Sequence, residues 1–209
     1  MNKAKVALIL NIAAFVFGCT GIVFRVVRSV SDFFLYYTQL SNVAAVISSA
    51  MYIAFRNTKS EKLRAAVRGT RYLAACGLTM TFIVVVCIFL PFGGEPAAVR
   101  LLGSVNGVLH HLVCPVISVV SYVVFEEGVR LRRAFWLPFG ATAVYAFTIY
   151  TLNYMRLAKA PYPFFEVYDH PFWELVLWFF GLMGLVAGIA AVIMLTNRKL
   201  GNNGKENVK

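Results

Sequence analysis

A threonine and a histidine, on separate apolar stretches of the chain, carry the chemistry of acyl transfer. Thr38 lies five residues into the apolar block 33–55, and His111 lies six residues into the block 105–125. If both blocks are helices entering from the same side, a rise of 1.5 Å per residue puts both side chains about 8–9 Å deep. A threonine hydroxyl attacks a carbonyl only when a base takes its proton. Imidazole is the usual base, because it titrates near neutrality. The pair therefore fits acyl transfer or ester hydrolysis. A tetrahedral oxyanion needs hydrogen-bond donors, and Asn42, Asn153 and Tyr154 are the candidates, with Tyr150 and Tyr162 as further substrate-binding groups. Asp32 and Glu174 fall too close to the ends of their blocks to orient the histidine. His110 points about 100° away from His111 on a helix and shares a side with Asn106. Spacing alone does not choose between the two histidines. Nor does it separate catalysis from the commoner roles of buried threonine and histidine in helix packing and core hydrogen bonding.

The elements that position these residues follow from composition. Of 209 residues, 60% are hydrophobic and 14% charged, about half the charge of a soluble domain. The apolar residues fall in six blocks, 6–24, 33–55, 72–91, 105–125, 137–155 and 173–195. Each is close to the ~20 residues that cross a hydrocarbon core as a helix. Barrel strands would be about half as long and would alternate in polarity. Helices satisfy their own backbone in lipid, so the expectation is an all-α, six-helix transmembrane bundle in one domain over 1–209. Lys3 and Lys5 before the first block resemble the start of a signal peptide, but the apolar run continues past Cys19 to Phe24. An uncleaved span is expected. The four cysteines fall inside the blocks without metal-site spacing, and are expected as small core residues.

The net charge of +11 does not point to nucleic acid, because no aromatic-basic motif accompanies it. With the amino terminus inside, fifteen Lys and Arg fall in inside segments. Five fall outside: Arg25, Arg28, Arg100, Arg156 and Lys159. This bias predicts both termini in the cytoplasm and a multi-pass protein of the cell membrane. The inside loops would also attract anionic lipid headgroups. In that orientation Thr38, Asn42, His111 and the run Thr148, Tyr150, Thr151, Asn153 and Tyr154 gather in the outer third of the bundle. Beyond them, Ala-Pro-Tyr-Pro-Phe-Phe-Glu at 160–166 reads as a stiff aromatic turn, either a lid or part of an interfacial aromatic belt. The inner half reads as poor in polar residues. That pattern predicts a pocket closed at its inner end rather than a transport path.

Three segments extend this reading: Tyr-Tyr-Thr-Gln-Leu-Ser-Asn at 36–42, His-His-Leu-Val-Cys-Pro at 110–115, and Tyr-Thr-Leu-Asn-Tyr-Met-Arg at 150–156 with the loop after it. In this order and spacing, over nearly the whole chain, they resemble the androgen-induced family of membrane hydrolases, and more closely its bacterial relatives. The resemblance implies a six-helix fold, an intramembrane Thr/His catalytic pair, and hydrolysis of fatty-acid esters of hydroxy fatty acids. No metal or organic cofactor is implied; the partners are membrane lipids and an amphiphilic ester. The family's threonine falls on Thr38. Its His-x-x-x-Pro pattern falls on His111 and Pro115, which favours His111 over His110. Its tyrosine–proline loop falls on Pro161, Tyr162, Pro163 and Phe164. Two positions depart from the bacterial pattern: Ser121 stands where an acidic residue is common, and Glu166 where Asp is usual. The competing expectations are a lipid-binding or structural membrane protein without catalysis, and a small transporter.

Overall fold

The computed structural model describes residues 2–130 and 132–202. Six of its helices are long and apolar enough to cross a membrane: α1 (Lys3–Arg28), α2 (Tyr37–Phe55), α3 (Glu61–Phe92), α5 (Val105–Phe125), α6 (Arg133–Tyr154) and α7 (Phe172–Leu200). A short helix, α4 (95–102), follows α3 after Gly94, whose φ of 58° breaks the helix. A positive φ there suits a residue without a Cβ. The start of α1 and the end of α7 lie at one end of the bundle, where the Lys3 ammonium donates to the Leu200 carbonyl at 3.3 Å. Lys205 and Lys209 lie outside the described residues.

α3 is the central element. It touches α2, α5, α6 and α7, and half of its most apolar window is buried inside the bundle, against 28% for α1 and for α6. Tyr72, Cys76 and Met80 of α3 form the core with Tyr122 of α5, Ile149 of α6, and Leu182, Ile189 and Ala190 of α7. The Tyr72 hydroxyl donates to the Ala190 carbonyl at 2.9 Å, so this buried phenol is satisfied. Large apolar side chains such as Val27 of α1, Val144 of α6, and Leu177 and Val192 of α7 face outward, which suits a hydrocarbon surrounding and not water. Cys76 and Cys114 are buried as expected, but Cys87 is exposed among these outward groups.

Close helix approach uses glycine. A Cβ on Gly18 would lie 2.5 Å from Val46, and one on Gly21 would lie 2.2 Å from the Nε2 of His110. These contacts seat α1 against α2 and α5, the small-residue packing common between membrane helices.

Of the boundaries that differ from the expectation, two bear on the interior of the bundle. The second span starts at Tyr37, because Phe33–Leu35 form a 3₁₀ turn and Tyr36 is extended. The third starts at Glu61, eleven residues before its apolar block. Ser60 caps it by accepting from the Leu63 amide, and the helix carries Arg68 and Arg71 into the bundle.

Arg71 corrects the expectation of an inner half poor in polar residues. Its guanidinium is fully buried and donates to both carboxylate oxygens of Glu126, at 2.8–3.2 Å. It also reaches Ser49 and Ser118 at 3.2 Å. Asn11 and Ser121 donate to the same carboxylate at 2.8 and 2.6 Å. Ser121 thus lies against a carboxylate supplied five positions later. Glu126 gets there because α5 ends in a π-helical turn, Ser121–Phe125, and the chain then becomes extended.

Candidate functional site

The end of the bundle away from the termini opens into a cavity of about 1010 Å³. Its lining comes from the end of α1 and the α1–α2 connection, the first turn of α2, the second half of α3, α4, the start of α5, the middle of α6, the 161–165 segment and the first half of α7. Met80, Val84, Ile88, Phe89, Leu182 and Met183 make an apolar wall.

Thr38 and His111 both line this cavity. Thr38 is buried and stands in the first turn of α2, shallower along its helix than counting from residue 33 implied. Its hydroxyl lies 3.5 Å from the Tyr162 hydroxyl, which is equally far from the Thr38 backbone amide. That is long for a hydrogen bond between hydroxyls. His111 is half-buried, and its buried Nδ1 has no hydrogen-bond partner among the described residues. The two side chains share one chamber without a hydrogen bond joining them.

His111 sits in a π-helical turn, Leu109–Val113, closed by the Cys114 amide donating to the Leu109 carbonyl. Pro115 explains the turn. It has no N–H to offer the carbonyl four residues back, which is that of His111. The same pairing of π turn and proline recurs in α3, where Val84–Phe89 precedes Pro91.

His110 turns away from the cavity. It is fully buried against α1, with Nε2 3.4 Å from the Gly18 carbonyl. Asn42 does not present its amide to the cavity. Its Nδ2 donates to the Thr38 carbonyl at 2.9 Å and to the His110 carbonyl at 3.3 Å, so it ties together the two backbones that carry Thr38 and His111. An oxyanion role for Asn42 is set aside on that ground.

The fifth-block candidates also serve the scaffold. Tyr150 donates to the Leu175 carbonyl at 3.2 Å. Asn153 donates to Glu166 at 2.9 Å and accepts from the Val167 amide at 2.8 Å. Glu166 accepts in turn from the Ala160 amide, which closes the loop 158–167. Tyr154 is 70% exposed, and its backbone carbonyl accepts from the Tyr168 hydroxyl. None of the three lines the cavity.

Tyr162 does. The loop folds into the bundle, with Pro163–Phe165 in a 3₁₀ turn and Phe164 and Phe165 buried. Tyr162 stacks on Phe89 and Phe164, with ring centroids 6.0 and 5.3 Å away. Burial pushes its phenol above the usual value, so the hydroxyl keeps its proton and remains a donor.

Charged residues outside the expected catalytic set also line this cavity: Arg25, Arg28, Asp32, Arg100 and Glu174. Arg25 pairs with Asp32 at 2.6 Å and holds that carboxyl below its usual range. Their sequence signal was available, since three of the five basic residues on the charge-poor side converge on one cavity. Comparison with protein-family models, curated proteins and solved structures finds no match.

Proposed function

We propose that this multi-pass membrane protein is an intramembrane hydrolase of fatty-acid esters, related to the androgen-induced family, with Thr38 as nucleophile and His111 as general base. One observation carries the reading. The two side chains come from different helices, stand in the same largely apolar cavity, and the histidine has a ring nitrogen not committed to the scaffold. In the reaction, His111 takes the Thr38 proton as Oγ1 attacks the ester carbonyl. Tyr162 donates to the developing oxyanion. The intermediate collapses, the ester C–O bond breaks, and the alcohol leaves with the proton from His111. Water, deprotonated by His111, then attacks the acyl-threonine, the acyl–Oγ1 bond breaks, and Thr38 regains its proton from His111 as the fatty acid leaves. The fifteen-to-five distribution of basic residues directs the cavity toward the outer leaflet, where an amphiphile enters sideways from lipid.

The purified protein should turn over a fatty-acid ester and react with a fluorophosphonate probe. Thr38→Ala should abolish labelling, and His111→Ala should lower turnover by at least ~10²-fold. Labelling that survives Thr38→Ala would remove the nucleophile. A second reading, a lipid-binding protein without catalysis, is favoured by one observation: the Thr38 hydroxyl lies against Tyr162 and not hydrogen-bonded to His111. Stoichiometric lipid retention with neither labelling nor turnover would decide for it.

A further inference from the structure

The charges at the cavity opening specify what enters it. Among the described residues Arg28 and Arg100 form no ion pair and no side-chain hydrogen bond, whereas the acids beside them are engaged, Asp32 with Arg25 at 2.6 Å and Glu174 with His170 at 3.3 Å. Both arginines are exposed, and both line the cavity. Arg28 is the last residue of α1, and Arg100 lies in the last turn of α4. A helix C-terminus favours a cation, which accounts for an arginine at either place. It does not account for two of them, on separate elements, opening on the same chamber from the charge-poor side of the protein.

We propose that this rim is a binding site for the phosphodiester headgroup of an anionic glycerophospholipid. A guanidinium is a planar fork suited to phosphate oxygens. Two forks on separate elements can approach a tetrahedral phosphodiester from different sides, whereas the two oxygens of a carboxylate lie in one plane and match a single fork. The vertical order also fits. Arginines stand at the opening, Thr38 and His111 in the chamber, and the wall of Met80, Val84, Ile88 and Leu182 is apolar. A glycerophospholipid carries phosphate, acyl ester and hydrocarbon in that sequence. Resting on the hydrolase reading, this makes the substrate an acyl ester of an anionic phospholipid. The headgroup site itself stands without catalysis.

The test measures retention, not turnover. The full chain is reconstituted in nanodiscs with equal phosphatidylglycerol and phosphatidylcholine, extracted into mild detergent, and its retained lipid quantified. The wild type and Thr38→Ala should retain phosphatidylglycerol over phosphatidylcholine by on the order of tenfold, the scale of one or two charge-assisted hydrogen bonds. The double variant Arg28→Gln/Arg100→Gln should bring the ratio near one. Arg156→Gln/Lys159→Gln, which removes the same charge from the same end outside the cavity, should leave it unchanged. Equal retention of both lipids by the wild type would overturn the proposal, as would a preference that persists without Arg28 and Arg100 or disappears without Arg156 and Lys159. Displacement of the lipid by millimolar inorganic phosphate would reassign the rim to free phosphate, and displacement by oleate to a carboxylate. Selective retention without turnover would sink the hydrolase and leave the rim. Turnover of neutral esters without selectivity would do the reverse.

Discussion

Single side chains at this site separate into those that face the cavity and those that hold its walls, and Tyr162 is the clearest of the first kind. Its hydroxyl is the polar atom lying against both the hydroxyl and the amide of Thr38, and its ring is fixed by stacking on Phe89 and Phe164. Tyr162→Phe keeps that packing and removes the donor. It should lower kcat about a hundredfold, the lower end of the range for one oxyanion donor, with KM and the thermal midpoint nearly unchanged. An equal fall in thermal midpoint would assign the hydroxyl to the fold. The sequence pointed to Thr38, His111 and Tyr162, and the structure lines one cavity with all three. It also pointed to Asn42, Asn153 and Tyr154, which the structure uses elsewhere. Depth follows from counting residues along a helix. The rotation of each helix about its own axis depends on neighbours the count does not contain. Asn42 shows the consequence, since its depth suits an oxyanion donor while its amide is taken up by the Thr38 and His110 carbonyls.

At the scale of elements, what aims His111 into the cavity is the seat of its neighbour. His110 packs into the space a side chain on Gly21 would fill, and its carbonyl is tied through Asn42 to α2. The two histidines adjoin on one helix, so fixing one fixes the direction of the other. Gly21→Ala would place a Cβ 2.2 Å from the His110 Nε2, and no shift of a flexible side-chain tip relieves it, because the imidazole is enclosed. The substitution should cost about 1–3 kcal/mol as an overpacking change. It should also lower turnover by turning α5, an effect that Ala at lipid-facing Val23 of the same helix should not show. Unchanged melting and unchanged turnover would mean that α5 takes its orientation from Pro115 alone. The six helices were legible as apolar blocks because a continuous apolar run of ~20 residues crosses hydrocarbon as a helix, while barrel strands are shorter and alternate in polarity. Their ends were less so. α3 runs eleven residues past its apolar block because a capped, ion-paired helix continues wherever its charges find partners.

The whole molecule is asymmetric from end to end, joined near the termini and open at the other side. Asn11 of α1, Ser49 of α2, Arg71 of α3, and Ser118, Ser121 and Glu126 at the end of α5 form one buried network. Asn197 of α7 adds a bond to the Glu126 backbone carbonyl at 3.1 Å. Five of the six spanning helices are therefore fixed to one another at that end, and none of these network residues lines the cavity. A path for transport would have to break this junction. The sequence hid the network because Arg71 and Glu126 lie at the edges of apolar blocks, where they read as loop charges. Its energetics give the last prediction. Removing one partner of a buried pair leaves an uncompensated charge, so Arg71→Met or Glu126→Gln alone should destabilise by about 3–5 kcal/mol. In the double variant neither charge remains, and the amide oxygen introduced by Glu126→Gln can still accept from Asn11 and Ser121. Most of the loss should then return, giving a coupling energy well outside additivity in a double-mutant cycle of thermal unfolding in detergent. If the single losses simply add, the helices are held by their apolar packing, and the junction is a tolerated burial of charge instead of the fixed end against which the cavity opens.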